Sequence, residues 1–242
     1  MLTTQTTPPR LNLAETLVAV GRRMYERGLI ASLDGNLSVR LDEAHLLVTP
    51  SGVCKGDLDP ATLVVIDLEG RPVDPAAGKP SSELAMHLEI YRQRPDVQAI
   101  VHAHPPTAVA LTLAGISLAG GILPEVVATL GHIPTTEYGT PSSQRGAEVT
   151  RKIVRNHDAL LLARHGAVAV GSDLWDAFYK METIEHLAKI VLTARQAANG
   201  AAVPELPTEE LVHFSDKYWV ARQQAEGRAE ICYGPGRCPF DK

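Results

Sequence analysis

The stretch that most constrains how this chain folds is Val97–Val101 running into His102-Ala103-His104-Pro105-Pro106. A short apolar run closed by prolines reads as a buried strand, because proline cannot continue a sheet ladder. Side chains alternate along a strand, so His102 and His104 leave the same face with their Cα atoms about 6.5–7 Å apart. Such a strand needs neighbours and covering layers. Further short runs at Leu37–Leu41, Leu46–Thr49, Leu63–Asp67, Ala159–Ala163 and Ala167–Val170, bounded by Gly, Asp and Pro, supply the neighbours. The last two read as paired strands around Arg164-His165-Gly166.

Helical periodicity supplies the layers. Ala14, Leu17, Val18, Gly21 and Met24–Tyr25 mark an amphipathic helix ending near Gly28. A second helix is expected after Pro80-Ser81-Ser82, with Leu84, Leu88 and Tyr91 on one face and Pro95 at its end. A long helix runs from about Asp173, a natural N-cap, to Ala198; a linker at 200–207 precedes a last helical segment. No repeat and no domain break interrupts the pattern, so the expectation is one layered α/β or α+β domain over 1–242.

Composition narrows the function classes. With 242 residues, 45% hydrophobic and 21% charged, the chain is a globular protein and not a disordered one. Its net charge of −5 offers no basic surplus for nucleic acid. The uncharged stretch Thr107–Leu123 falls short of the about 20 apolar residues of a membrane span, and Gly115, Ser117, Gly120 and Gly121 break it. The leader MLTTQTTPPR has no apolar core, and Cys54, Cys232 and Cys238 imply no disulfide framework, which together suggest the cytoplasm. The spacing of Cys232 and Cys238 is not a zinc spacing, and both read as ordinary thiols.

The histidines carry the chemistry. Two imidazoles on one strand face suit a metal ion, although a pair of hydrogen-bonded buried histidines has the same pattern. His165, in its turn, is a candidate third ligand or a plain turn residue. Glu83 at a helix start is favoured by the helix dipole and is equally suited to act as a base. His87 lies one turn further along the same face; His45, His132, His157, His186 and His213 have no assignment beyond surface or structural roles. Ser81 and Ser82, with the loops Gly35-Asn36-Leu37-Ser38 and Thr49-Pro50-Ser51-Gly52, offer hydroxyls and amides for an anion, if the loops meet.

Asp34-Gly-Asn-Leu-Ser38, Thr49-Pro-Ser-Gly52, Pro80-Ser-Ser-Glu83, His102-Ala-His104 and Arg164-His165-Gly166 stand in the order and spacing of one family. The chain resembles the class II aldolase/adducin family, in its fuculose-phosphate aldolase branch, from about Leu13 to Ala198. The resemblance implies a three-layer α/β/α fold around a mixed, largely antiparallel sheet, with the segment 208–242 completing the site. It implies a divalent metal, zinc before manganese or cobalt, on His102, His104 and His165, with Glu83 as acid/base and as a possible ligand when substrate is absent. Asn36, Ser51, Gly52, Ser81 and Ser82 match the substrate-phosphate pocket. Tyr138, after Ile133-Pro134, matches a tyrosine delivered to a neighbouring subunit's site in a homotetramer, and Tyr218 or Tyr233 matches the C-terminal tyrosine that closes it.

The activity implied is metal-dependent cleavage of a phosphorylated ketose to dihydroxyacetone phosphate and an aldehyde. The alternative is decarboxylation of a sugar acid or aromatic carboxylate through a similar intermediate. An epimerase, a dehydratase and a non-catalytic adducin-type binding domain rank lower: the epimerase pattern has aspartate in place of Glu83, and a binding domain has no need of the histidine triad.

Overall fold

A computed structural model of the chain describes residues 9–228 together with Cys232 and Gly234, with backbone only for 9–11. Its centre is a six-stranded sheet in the order β3-β2-β1-β4-β6-β5. The strands are β1 (Asn36–Arg40), β2 (His45–Val48), β3 (Val64–Asp67), β4 (Ala99–Ala103), β5 (Ala159–Leu162) and β6 (Gly166–Gly171). Every ladder is antiparallel, and one isolated parallel bridge joins Thr135 to Leu161. This is the mixed, largely antiparallel sheet that the family resemblance implies.

Each strand divides its side chains between two cores. Leu37, Val39, Ala99, Val101, Ala103, Leu161, Ala167 and Ala169 face one core, while Ile100, Leu160, Leu162, Val168 and Val170 face the other. The first face is covered by α1 (Pro9–Glu26), α3 (Pro106–Leu113), α4 (Pro124–Leu130) and α6 (Leu174–Ala197). The second is covered by α2 (Leu84–Gln93) and α5 (Gln144–Val154), which gives three layers. The chain closes with α7 (Thr208–Phe214), a π-helical turn over Ser215–Val220 and α8 (Ala221–Ala225). No helix among the described residues is long and apolar enough to cross a membrane.

Two local outcomes differ from the sequence pattern. Pro105-Pro106 ends β4 as expected but also opens α3, because a missing N–H costs nothing in the first turn of a helix. The second helix begins at Leu84, so Glu83 occupies the N-cap position with its side chain making no cap bond. Asp173 caps α6 as expected, its Oδ1 accepting the Asp176 N–H at 2.8 Å.

Helix α3 is held at its start by the buried Glu185 of α6, whose carboxylate accepts the Thr107 and Ala108 N–H groups at 3.1 Å each. Thr112 on α3 in turn accepts the Arg164 N–H at 3.0 Å, which ties the β5–β6 turn to the segment that follows His104.

The heaviest buried charge lies elsewhere. Asp158, 2% exposed, pairs with Arg94 at 3.0 Å, Lys180 at 3.2 Å, Arg222 at 3.1 Å and Arg228 at 2.7 Å. Burial works to raise its carboxyl, and the surrounding cations outweigh that and hold it far below the usual carboxylate range. Removing one partner of such a buried set leaves unmatched charge. Asp158→Ala is therefore expected to lose about 3–5 kcal/mol, measured as a lowered urea midpoint at unchanged slope.

Candidate metal centre

Alternation along β4 decides where the site lies. His102 shares the α2 side of the sheet with Ile100, and His104 follows two residues on, past the strand's end. Glu83 at the start of α2 therefore meets them. Its Oε2 lies 3.0 Å from His102 Nε2, and its Oε1 lies 3.2 Å from His165 Nε2. His104 Nε2 stands 3.1 Å from His102 Nε2, and the three rings are 4.8–5.0 Å apart between centroids. One ligand atom from each of the four residues lies within 4.8 Å of all the others.

The tautomers show what this arrangement lacks. His102 Nδ1 sits 2.9 Å from the Ala167 carbonyl oxygen, which only accepts, so Nδ1 carries the proton. In the neutral ring Nε2 then presents a lone pair to a carboxylate oxygen. Two acceptors face each other, and a shared cation resolves the conflict. His104 Nδ1 has Asp34 Oδ2 at 3.4 Å behind it, the outer partner that orients a ligating imidazole. The residues present fit a single metal ion.

The electrostatics agree. Burial, then the nearby His102, depresses His104; burial with the same neighbour pushes His165 down to about 4. At neutral pH both keep lone pairs for a cation. Burial opposes ionisation of Glu83, yet His102 and His165 in their protonated form, with the Asn36 amide, outweigh it and hold Glu83 well below its ordinary value, a part that a metal ion's charge would take where the rings are neutral.

The turn carrying His165 is built tightly. Arg164 has φ +60°, and the His165 N–H bonds to the Leu162 carbonyl at 3.0 Å. A side chain at Gly166 would strike the Ala103 carbonyl oxygen and would come within 2.8 Å of His104 Cδ2 and 3.0 Å of His102 Cε1. Glycine is needed here because β6 passes directly beneath the histidine pair. Gly166→Ala is expected to fold but to bind Zn²⁺ at least tenfold more weakly, as read by competition with a chromogenic chelator.

The serine-bearing loops do come together. Ser81 N–H bonds to the Thr49 carbonyl at 3.2 Å, Ser51 N–H to the Lys79 carbonyl at 2.9 Å, and Pro50 bridges Pro80. Thr49 is tied in turn to Leu37, next to Asn36. Ser51, Gly52 and Ser82 are exposed and Ser81 is half-buried beside them. Asn36 is buried; its Nδ2 donates to Glu83 Oε2 at 3.0 Å, and its Oδ1 has no hydrogen-bond partner among the described residues.

A small pocket opens beside Glu83 and His165, walled by Thr136, Gly139, Ser142 and Ser143. Tyr138, 55% exposed, is not among the residues that line it. Tyr218 is 44% exposed on the π-helical turn. Tyr233 and Cys238 lie outside the described residues.

Several supporting residues carry no sequence signal. Lys55 is buried, donates to the Leu33 and Val53 carbonyls at 2.6 and 2.8 Å, and so fixes the loop carrying Asp34. Glu185 and Thr112 fix the segments around His104 and His165 from helices distant in sequence. His87 points away from any ligand role: its Nδ1 meets Ser38 Oγ at 2.7 Å, and Ser38 Oγ also meets Tyr91 Oη at 3.0 Å.

The fold and the site together define the class. Residues 15–192 match the family described as Class II Aldolase and Adducin N-terminal domain, and the chain belongs to that family. It is 37% identical over 179 residues to 3-oxo-tetronate 4-phosphate decarboxylase of Pectobacterium atrosepticum, covering 72% of this chain and 81% of that protein. It is 35% identical over 176 residues to L-fuculose phosphate aldolase of Methanocaldococcus jannaschii, covering 72% of this chain and 93% of the relative. Among solved structures, YgbL of Klebsiella pneumoniae superimposes with a TM-score of 0.77 at 31% identity, over 85% of this chain and 98% of the other. Membership makes the chain a member of a metal-dependent enzyme family, in keeping with its three histidines and one glutamate.

Complete burial pushes His87 down to about 3. In the unfolded chain an imidazole titrates near 6.5, so between these values only the unfolded state holds the extra proton. Stability from this group is present above about pH 6.5 and falls by about 1.4 kcal/mol per pH unit below it. Urea unfolding of metal-free protein at about pH 7 and about pH 5 should show the loss, to which the depressed His104 and His165 add, and His87→Gln should reduce that slope by about 1.4 kcal/mol per pH unit.

Proposed function

We propose that this chain is a metal-dependent decarboxylase of a phosphorylated 3-oxo sugar acid, of the 3-oxo-tetronate 4-phosphate kind. This reverses the order that the sequence motifs favour, where cleavage of a ketose phosphate came first. The observation that carries the reading is the likeness, over most of both chains, to a decarboxylase of that substrate. The geometry supports it: Glu83 is the one carboxylate among the described residues in reach of the imidazole Nε2 atoms.

When bound, a divalent metal, zinc by preference for imidazole and carboxylate ligands, supplies a Lewis acid for the substrate's carbonyl oxygen. His102, His104 and His165 would hold it. Ser51, Gly52, Ser81 and Ser82 would take the phosphate through hydroxyl and backbone N–H groups, since no lysine is among them. The bond between C1 and C2 breaks, carbon dioxide leaves, and its electron pair passes into an enediolate over C2 and C3. Glu83 then delivers a proton to C2 and regains it from water, which leaves dihydroxyacetone phosphate. Glu83 is ionised in the free site, and the anionic substrate raises it toward the form that donates. Asn36 keeps the carboxyl aimed.

Aldol cleavage is the second reading, favoured by the likeness to L-fuculose phosphate aldolase. It passes through the same enediolate but also needs a group to exchange a proton with the departing aldehyde's oxygen. Tyr138 would serve from a neighbouring subunit, for which its exposure is the support. That role requires an oligomer with sites between subunits, which the family resemblance makes a homotetramer, and a cytoplasmic setting suits the Cys54 and Cys232 thiols, neither of which is in a disulfide.

The test is to supply metal-loaded protein with 3-oxo-tetronate 4-phosphate and, separately, with L-fuculose 1-phosphate. Carbon dioxide and dihydroxyacetone phosphate are expected from the first; turnover of the second alone would establish the aldolase reading. Glu83→Gln should retain its metal and lose about 10²–10⁴-fold in kcat.

A further inference from the structure

A second group of metal-type ligands lies outside this site. His132 follows α4, His157 precedes β5, and Cys232 comes from the chain's last segment; all three are buried. Cys232 Sγ is 3.6 Å from His157 Nε2 and 3.7 Å from His132 Nδ1, and the two Nε2 atoms are 3.1 Å apart. We propose that His132, His157 and Cys232 form a second, structural metal site that takes Zn²⁺ and staples the C-terminal segment to the body of the domain.

Three observations carry this. The spacing fits at His157: zinc bonds of about 2.0–2.1 Å to nitrogen and about 2.3 Å to sulfur put tetrahedral nitrogen–nitrogen and nitrogen–sulfur edges near 3.3 and 3.6 Å, against 3.1 Å from its Nε2 to His132 Nε2 and 3.6 Å to Cys232 Sγ, and one ligand atom from each of the three residues lies within 4.8 Å of the others. The tautomer fits as well. His157 Nδ1 lies 2.9 Å from the Ile153 carbonyl oxygen, so Nδ1 carries the proton and Nε2 turns a lone pair toward its neighbours. His102 in the catalytic group has the same arrangement, with a backbone carbonyl at 2.9 Å behind it and an Nε2–Nε2 approach of 3.1 Å in front.

The site is also aimed. The Gln223 side chain clasps the Cys232 backbone from both sides, donating to its carbonyl at 2.8 Å and accepting its N–H at 3.1 Å. One helical turn earlier, the Trp219 indole packs on Gly131 so closely that a Cβ there would lie 2.5 Å from Nε1. Gly131 adopts φ +69° and delivers His132. Residues four apart on one helical stretch thus seat two of the three ligands. Zn²⁺ prefers such a mixed thiolate and imidazole set, and one further donor completes its tetrahedron. Binding releases the Cys232 thiol proton to solvent, so the sulfur enters as thiolate. This soft ligand distinguishes the site from the catalytic one, which offers only nitrogen and oxygen.

That difference supplies the test. In the full-length protein, His104→Ala with His165→Ala removes the catalytic metal group whatever reaction it serves. This double variant, purified without chelator, is expected to retain one equivalent of zinc by mass spectrometry of the metal. Loaded with Co²⁺, it should show a near-ultraviolet sulfur-to-cobalt charge-transfer band. Adding Cys232→Ser should abolish both, with Cys54 and Cys238 left in place; His157→Ala offers a second route should that variant not fold. Zinc-free double variant with no sulfur band on Co²⁺ loading would overturn the proposal and make the group a hydrogen-bonded trio. Because no step depends on catalysis, failure of the decarboxylase reading would leave this result standing.

Discussion

The His102 ring fixes the rest of the site. It has no exposed surface, so both nitrogens must be satisfied inside the protein. The Ala167 carbonyl takes Nδ1–H, which turns Nε2 toward Glu83 and leaves a lone pair against an anion. That conflict ties together β4, β6 and the start of α2, each of which must hold its register for the ring to find its partners. Antiparallel pairing sets Asn36 opposite His102, and its amide reaches the same carboxylate. The absence of a side chain at Gly166 allows β6 to pass beneath. A cation at this point relieves that opposition.

Much of this was legible from sequence because it rests on local periodicity. Five of the six strand runs fall within about a residue of where alternation and turn residues place them, β4 starts two residues later than its apolar run, and Asp173 caps the long helix. The helices on either side of the glycine-rich stretch at 114–121 were not legible. Helices α3 and α4 are too short to show a period, and their prolines read as strand stops or loop residues. Helix α5 does carry a signal, a Ser143 cap followed by apolar Ala147, Val149, Ile153 and Val154, but Pro141-Ser142-Ser143 before it resembles a loop. For the site, residue types and spacing left His102, His104, His165 and Glu83 as candidates with ordinary structural readings beside them, and the family resemblance singled them out. The residues that aim them, Lys55, Thr112 and Glu185, act across long sequence separations through single hydrogen bonds, which no periodicity records.

The same logic explains why the motifs favoured the other reaction. Loss of carbon dioxide from a 3-oxo acid and loss of an aldehyde from a ketose phosphate converge on one enediolate. The groups that bind the phosphate, stabilise the enediolate oxygens and protonate its carbon are therefore the same in both. Only the leaving group differs, and carbon dioxide departs without a proton. The residues distinguishing the reactions need not lie within the five motifs, so motif agreement defines the family while likeness along the whole domain ranks the reactions.

The closing segment of the chain is seated on different terms from the sheet. From 208 to 228 only Leu211, Trp219 and Val220 are buried apolar side chains, too few to choose one register by area alone. Directional bonds do the choosing, and they converge on one turn, Asn156-His157-Asp158, whose three polar residues are all buried. Asp158 receives Arg222 and Arg228 from the closing segment, together with Arg94 and Lys180 from α2's end and α6. Beside it His157 receives Cys232. Desolvating so many polar groups carries a cost that apolar packing would avoid, but an ion pair in the wrong register leaves a charge buried and unmatched. Wrong seatings are therefore penalised far more steeply than a slipped apolar stripe would be, and a segment with little apolar surface acquires a single position against the domain.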